Sequence, residues 1–156
     1  MRNLEVKILG NGFGLPLPKY ETEGAAGLDL FAATKEDTKI IIPPRKAEMI
    51  PTGIAISVPS GYEAQIRPRS GLAAKNGITV LNSPGTIDSD YRGEILVMLI
   101  NHSNKDFEIL RGMRIAQMVI SKIEQFNLIS VNELDTTDRG KDGFGSTGIS
   151  IKKDEE

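Results

Sequence analysis

Hydrophobic and polar positions alternate in short stretches along this chain. Leu4, Val6 and Ile8 are separated by Glu5 and Lys7, Ile54, Ile56 and Val58 by Ala55 and Ser57, and Tyr62, Ala64 and Ile66 by Glu63 and Gln65. A period of two puts successive side chains on opposite faces of an extended chain, so each stretch predicts a half-buried β-strand. Residues 94–101 (EILVMLIN) are almost wholly apolar and predict a central strand. Residues 114–123 and 128–131 predict two more. Turn formers stand between these stretches: Pro43-Pro44, Pro51, Pro59-Ser60-Gly61 and Ser83-Pro84-Gly85. Many short strands at regular spacing predict an all-β sandwich or barrel. One short helix is expected, with Ser70 as its N-cap, Leu72 to Lys75 as helix formers and Gly77 closing it in the left-handed conformation. Residues 132–147 are polar and glycine-rich. They predict a flexible arm that ends in a small apolar hook, Ile149-Ser150-Ile151. The expected organisation is a compact body over residues 1–131 and an arm over 132–156.

Composition narrows the functions open to such a body. A chain of 156 residues fits one domain with its own core. With 19 basic and 21 acidic side chains, it lacks the basic excess expected of a protein that binds a nucleic-acid polymer. The absence of cysteine excludes disulfides, thiolate catalysis and cysteine-held metals. A lone histidine, His102, sits in a loop-like stretch and argues against a histidine zinc site or a Ser-His-Asp triad. There is no apolar signal core at the start and no membrane-length apolar run, so a soluble, cytoplasmic protein is expected.

Five segments carry candidate chemistry. Gly143 to Gly148 matches G-x-G-x-x-G, but a dinucleotide-binding turn needs a strand before it and a long helix after it. Only eight residues follow, so that reading is set aside. What remains is a glycine-rich, phosphate-friendly stretch that must fold onto something else. Arg67-Pro68-Arg69-Ser70-Gly71 places a guanidinium and a hydroxyl at a helix start, a combination suited to phosphate; ordinary capping beside a surface arginine explains it equally simply. Residues 82–93 (NSPGTIDSDYRG) hold Asp88 and Asp90 on either side of Ser89, which on a strand would share a face. Two close carboxylates suit a general base or a magnesium site that keeps most of its waters, and Asp and Gly equally suit a plain hairpin turn. Asp29, between Leu28 and Leu30, either points to solvent or serves a site. Gln117, in Gly112-Met113-Arg114-Ile115-Ala116-Gln117, either orients a water or simply faces outward.

Together and in this order, these segments resemble the five motifs of the trimeric deoxyuridine triphosphatases (dUTPases). The first is Ala26-Gly27-Leu28-Asp29-Leu30, followed by Arg69-Ser70-Gly71, Gly85-x-Ile87-Asp88-x-x-Tyr91-x-Gly93, Gly112-x-Arg114-Ile115-Ala116-Gln117 and Arg139-Gly140-x-x-Gly143-Phe144-Gly145-Ser146-Thr147-Gly148. The resemblance runs from about residue 20 to residue 148. It implies a jelly-roll-like β-barrel with one short helix and a flexible C-terminal arm, assembled as a homotrimer. It also implies Mg²⁺-dependent hydrolysis of dUTP to dUMP and pyrophosphate, which limits uracil incorporation into DNA and supplies dUMP for thymidylate synthesis. By this resemblance Asp88 activates the attacking water and Gln117 orients it. Arg69, Ser70 and Gly71 hold the β- and γ-phosphates. Asn82, Thr86, Ile87, Asp88 and Leu96 surround uracil, and Tyr91 lies under the deoxyribose. Phe144 stacks on the base, while Arg139, Gly145, Ser146 and Thr147 close on the γ-phosphate. Asp29 contributes to the metal at most through water, the ion being held mainly by the substrate phosphates. Two other readings are a dCTP deaminase, which shares the fold but needs an acid–base set not seen here, and a nucleotide-binding regulator without turnover, against which Asp88 and the arm both argue.

Overall fold

The computed structural model describes residues 3–143. It divides into two compact units, Met1–Glu124 and Gln125–Glu156. Among the described residues the first unit holds eleven strands and one α-helix. The strands are β1 (Glu5–Ile8), β2 (Leu28–Phe31), β3 (Lys39–Ile42), β4 (Ala47–Pro51), β5 (Ile54–Ser57), β6 (Tyr62–Arg67), β7 (Ile78–Val80), β8 (Gly85–Ile87), β9 (Leu96–Asn101), β10 (Phe107–Leu110) and β11 (Arg114–Lys122). The helix, α1, spans Ser70–Asn76, and a 3-10 turn occupies Gly10–Gly12. The first unit is therefore all-β and jelly-roll-like. Among the described residues the strands form four ladders, β2-β11-β6-β8, β4-β9-β7, β1-β5 and β10-β3, with no closed barrel. No helix among the described residues is long and apolar enough to cross a membrane.

The period-two stretches became β5, β6 and β11 as expected. Their inward residues, among them Ile56, Ala64, Ile66 and Met118, join Leu30, Ile42, Val97, Leu99 and Ile109 in one aliphatic core. β9 is the central strand of its ladder, but its alternation is strict. Val97, Leu99 and Asn101 are buried, whereas Leu96, Met98 and Ile100 face outward, with Leu96 exposed. β1 departs from expectation. All four of its residues are exposed, whereas those of its one partner, β5, are mostly buried. The expected strand at 128–131 does not form. Those residues are exposed and have no ladder partner among the described residues, and a strand is stabilised only by pairing and packing against others.

The helix also differs at one end. Arg69, in extended geometry, is the N-cap, and Ser70 is the first helical residue. No side chain caps the start. The other end is as expected: Gly77 adopts φ 66° and donates its N–H to Ala73, the left-handed closure that glycine makes at least cost. Buried Asn101 is fully satisfied, donating to the carbonyls of Ile42 and Lys105 and accepting from Ser103 N–H.

Candidate active site

The site is built where three strands set polar side chains in one row. Antiparallel register places Asp29 of β2 opposite Gln117 of β11, and Gln117 opposite Arg67 of β6. Their neighbours Leu30, Ala116, Met118 and Ile66 are buried, so the row lies on the outward face. A register shift between Arg114 and Ala116 brings Arg114 beside the same row.

β6 continues through Pro68 into Arg69, and the Arg69 side chain folds back over the row. Its Nε donates to Asp29 Oδ1 at 3.0 Å, and its Nη1 donates to the Arg114 carbonyl at 3.1 Å. Arg114 Nη1 reaches the other oxygen, Asp29 Oδ2, at 3.3 Å. Asp29 does not point to open solvent: its side chain is 15% exposed beneath two guanidiniums. Two arginines against one carboxylate leave the cluster with a net positive charge, the sign an anionic ligand needs.

Gln117 is fixed from both sides. Its Nε2 donates to the Pro68 carbonyl at 2.9 Å. A Cβ at Gly27 would lie 2.5 Å from Gln117 Oε1, so the glycine makes room for the amide. Asp29, Arg69, Ser70, Gly71 and Gln117 together line one cleft of about 180 Å³. Residues drawn from three separate sequence segments thus meet in one place. The first N–H groups of α1, which have no intrahelical partner, begin at the same corner.

Asp88 and Tyr91 lie elsewhere. The expected hairpin over 82–93 is instead a loop, the strand β8, and a turn; β8 pairs with β6, not with a hairpin partner. Asp88 and Asp90 fall in the turn and not on a strand face. Asp88 is exposed, and its carbonyl accepts from Tyr91 N–H at 3.2 Å. Tyr91 is pinned by its hydroxyl, which donates to the Glu94 carbonyl at 3.0 Å, and its ring passes where a Cβ on Gly93 would sit, 2.3 Å from the Tyr91 oxygen. Asn82 folds over Gly85, whose missing Cβ would lie 3.2 Å from Asn82 Nδ2. Thr86 and Leu96 are exposed and Ile87 is half-buried.

The ladder fixes how far apart these halves stand. Gln117 is opposite Arg67 and Ile87 is opposite Ala64, so Asp88 and Gln117 are about 16 Å apart, two strands across and four residues along. The Gln117 amide leans further away, toward Pro68. Two side chains bonded to one water must bring their polar heads within about 5.5 Å. Within one chain, Asp88 and Gln117 do not meet that condition.

In the second unit, Arg139 sits in a turn. Its Nε donates to the Asp142 carbonyl, and Gly140 N–H donates to Thr137. Phe144, Gly145, Ser146 and Thr147 lie outside the described residues. Among the described residues no group of three or more His, Cys, Asp or Glu side chains is placed to hold a metal ion.

The carbonyls of Pro68 and Arg114, the space at Gly27 and the guanidinium of Arg114 were not singled out from the sequence. A carbonyl has no residue signature, and the other two depend on strand register. Arg114 and Gly27 left a trace only as members of the fourth and first motifs.

An all-β body with a cationic cleft between a strand end and a helix start suits an anionic ligand such as a phosphate group. Comparison with known proteins makes this specific. Residues 14–148 match the dUTPase family. A deoxyuridine 5'-triphosphate nucleotidohydrolase of Rhizobium rhizogenes is 57% identical over 141 residues, covering 90% of each chain. One of Beijerinckia indica is 57% identical over 143 residues, covering 92% of this chain and 89% of its own. The structure of a Staphylococcus bacteriophage 80alpha dUTPase with dUpNHpp superposes with a TM-score of 0.83 at 26% identity, covering 96% of this chain and all of that one. The chain belongs to the dUTPase family of deoxyuridine 5'-triphosphate nucleotidohydrolases.

Proposed function

We propose that the protein hydrolyses dUTP to dUMP and pyrophosphate by attack of water on the α-phosphorus. The observation that carries this reading is the convergence of Asp29, Arg69, Ser70, Gly71 and Gln117 on one cleft in a chain of this family. Asp88 takes a proton from the water as its oxygen bonds to the α-phosphorus, and the bond to the α–β bridging oxygen breaks, releasing pyrophosphate. Gln117, its amide anchored by Pro68, orients the water or an α-phosphate oxygen. Arg69, with the Ser70 and Gly71 backbone, holds the β- and γ-phosphates.

Asn82, Thr86, Ile87 and Leu96 frame uracil, and Tyr91 closes the space a 2′-hydroxyl would need. Arg139, Phe144, Gly145, Ser146 and Thr147 act as a lid over the γ-phosphate and base, keeping water out of the closed site. Mg²⁺ is the expected cofactor. Such an ion would be held mainly by the substrate phosphates and waters, with Asp29 near it at most through water. When bound, such an ion spreads phosphate charge. A cytoplasmic location, removal of dUTP before it enters DNA and supply of dUMP for thymidylate synthesis accompany this reading.

The active unit is a homotrimer with sites shared between chains. Two observations support it. Asp88 and Gln117 are too far apart in one chain to serve one water. In addition, the outer face of β4-β9-β7 is apolar, with Met49 56% and Leu96 43% exposed, a surface that calls for cover.

A substrate panel tests the reaction. dUTP with Mg²⁺ should release pyrophosphate, while dTTP, UTP and dCTP should be turned over far more slowly and omission of Mg²⁺ should slow all of them. Absence of pyrophosphate above a no-enzyme control would overturn the assignment, and ammonia from dCTP would replace it with a deaminase.

A further inference from the structure

We infer that Asp29 is a positioning residue for Arg69: its carboxylate, braced by Arg114, sets the direction in which the Arg69 guanidinium meets phosphate. The inference rests on the phosphate-binding part of the proposed function. A guanidinium carries five N–H donors in a rigid fork. Asp29 Oδ1 takes the Nε donor and the Arg114 carbonyl takes one from Nη1, both near 3 Å. The two fixed bonds define the plane of the group. Three of the five N–H donors, the Nη2 pair and one on Nη1, are not used by these two bonds, in a cleft that Ser70 and Gly71 also line.

Asp29 is itself held. Arg114 Nη1 engages its second oxygen, and Gln117 lies opposite it in the ladder. Both carboxylate oxygens therefore face arginines, so the function of Asp29 in this arrangement is to aim a cation. An unbraced arginine would have to order several rotatable bonds on binding, a cost that the brace meets during folding.

Charge and positioning make opposite predictions for the loss of Asp29. Removing a negative charge beside the cleft would strengthen anion binding by Coulomb attraction. Losing the brace would weaken it. The test is a double-mutant cycle read by calorimetric binding of inorganic tripolyphosphate to the full chain in EDTA. Without divalent ions, no part that Asp29 plays near Mg²⁺ can contribute.

Asp29→Ala should weaken binding about tenfold, the worth of one charge-assisted hydrogen-bond geometry. In an Arg69→Ala background the same change should cost nothing, because nothing remains to be aimed. Asp29→Asn retains the Oδ1 acceptor and should lose less than Asp29→Ala. It also runs the same cycle if the alanine variant does not fold. Unchanged or tighter binding by Asp29→Ala, an equal loss with and without Arg69, or no tripolyphosphate binding by the unaltered protein would each overturn the inference. Turnover of dUTP is a separate measurement. A non-additive cycle in a protein that does not hydrolyse dUTP would sink the proposed reaction and leave the brace standing.

Discussion

Tyr91 shows how much of a side chain's placement can rest on an atom that is absent. Its hydroxyl donates to the Glu94 carbonyl only three residues on, so the chain must turn tightly beneath the ring. Gly93 lies in that turn, and a methyl there would be 2.3 Å from the phenolic oxygen. No rotamer change at Gly93 relieves the clash, so Tyr91 must move and its hydrogen bond must break. If Tyr91 is what excludes a 2′-hydroxyl, Gly93→Ala should relax sugar choice more than it harms the fold. The expected result is a fall of about tenfold or more in the dUTP-to-UTP ratio of kcat/KM, with a small change in melting temperature. Steady-state kinetics on both nucleotides decide it: an unchanged ratio would remove Tyr91 from sugar discrimination. The same logic of absence applies at Gly27, which leaves room for the Gln117 amide.

At the scale of elements, α1 is short, lacks a side-chain cap at its start and is closed by one residue. Gly77 holds φ 66°, and a Cβ there would also come within 3.1 Å of Ser103 N, so Gly77→Ala meets both a backbone and a steric penalty. The expected loss is about 1–2 kcal/mol in denaturant unfolding at an unchanged m-value. A variant as stable as the parent would show that α1 does not depend on this closure. Because α1 begins at Ser70, directly after its N-cap Arg69, the element also carries one wall of the cleft. The helix and Gly77 were legible in sequence, since capping and helix formers are local signals. Strands β5 and β6 were legible because alternation over several residues is a strong pattern, and β9 and β11 because each is a long, largely apolar stretch. β7 and β8 have three residues each, too few to display a period, and β3 reads as an unbroken Ile40-Ile41-Ile42 run. Residues 128–131 show the opposite failure, an apolar stretch with strand character whose pairing partner is not supplied among the described residues. The cleft was legible as residue types, because Arg69-Ser70-Gly71 and Gln117 each lie in a compact motif. Its geometry was not, because the alignment of Asp29 with Gln117 and Arg67 depends on register between strands far apart in the chain.

At the scale of the whole molecule, the separation of Asp88 from Gln117 becomes a statement about assembly. β6 carries Arg67 and the cleft at one end, and its partner β8 delivers Asp88 near the other. If each end of this ladder is half of a site, the two halves of one chain stand about 16 Å apart. If a second copy supplies the missing half, Asp88 of one chain works with Arg69 and Gln117 of another. Two inactive variants should then repair each other. Asp88→Asn removes the base and should lower the rate by roughly 10²-fold or more, while Arg69→Ala weakens the phosphate grip in a separate half-site. In mixed oligomers, some interfaces pair an intact Asp88 from an Arg69→Ala chain with an intact Arg69 from an Asp88→Asn chain. With random three-chain mixing in equal amounts, roughly a quarter of the sites are whole, so about a quarter of the parent activity should return. The measurement is dUTP turnover after the two variants are unfolded and refolded together, compared with the same variants refolded apart and then combined. Recovery only on co-assembly requires the halves to come from different chains. A co-refolded mixture no more active than its separately refolded parts would place the whole site in one chain, and Asp88 would then have to reach Gln117 by a rearrangement of β8 that its pairing with β6 opposes.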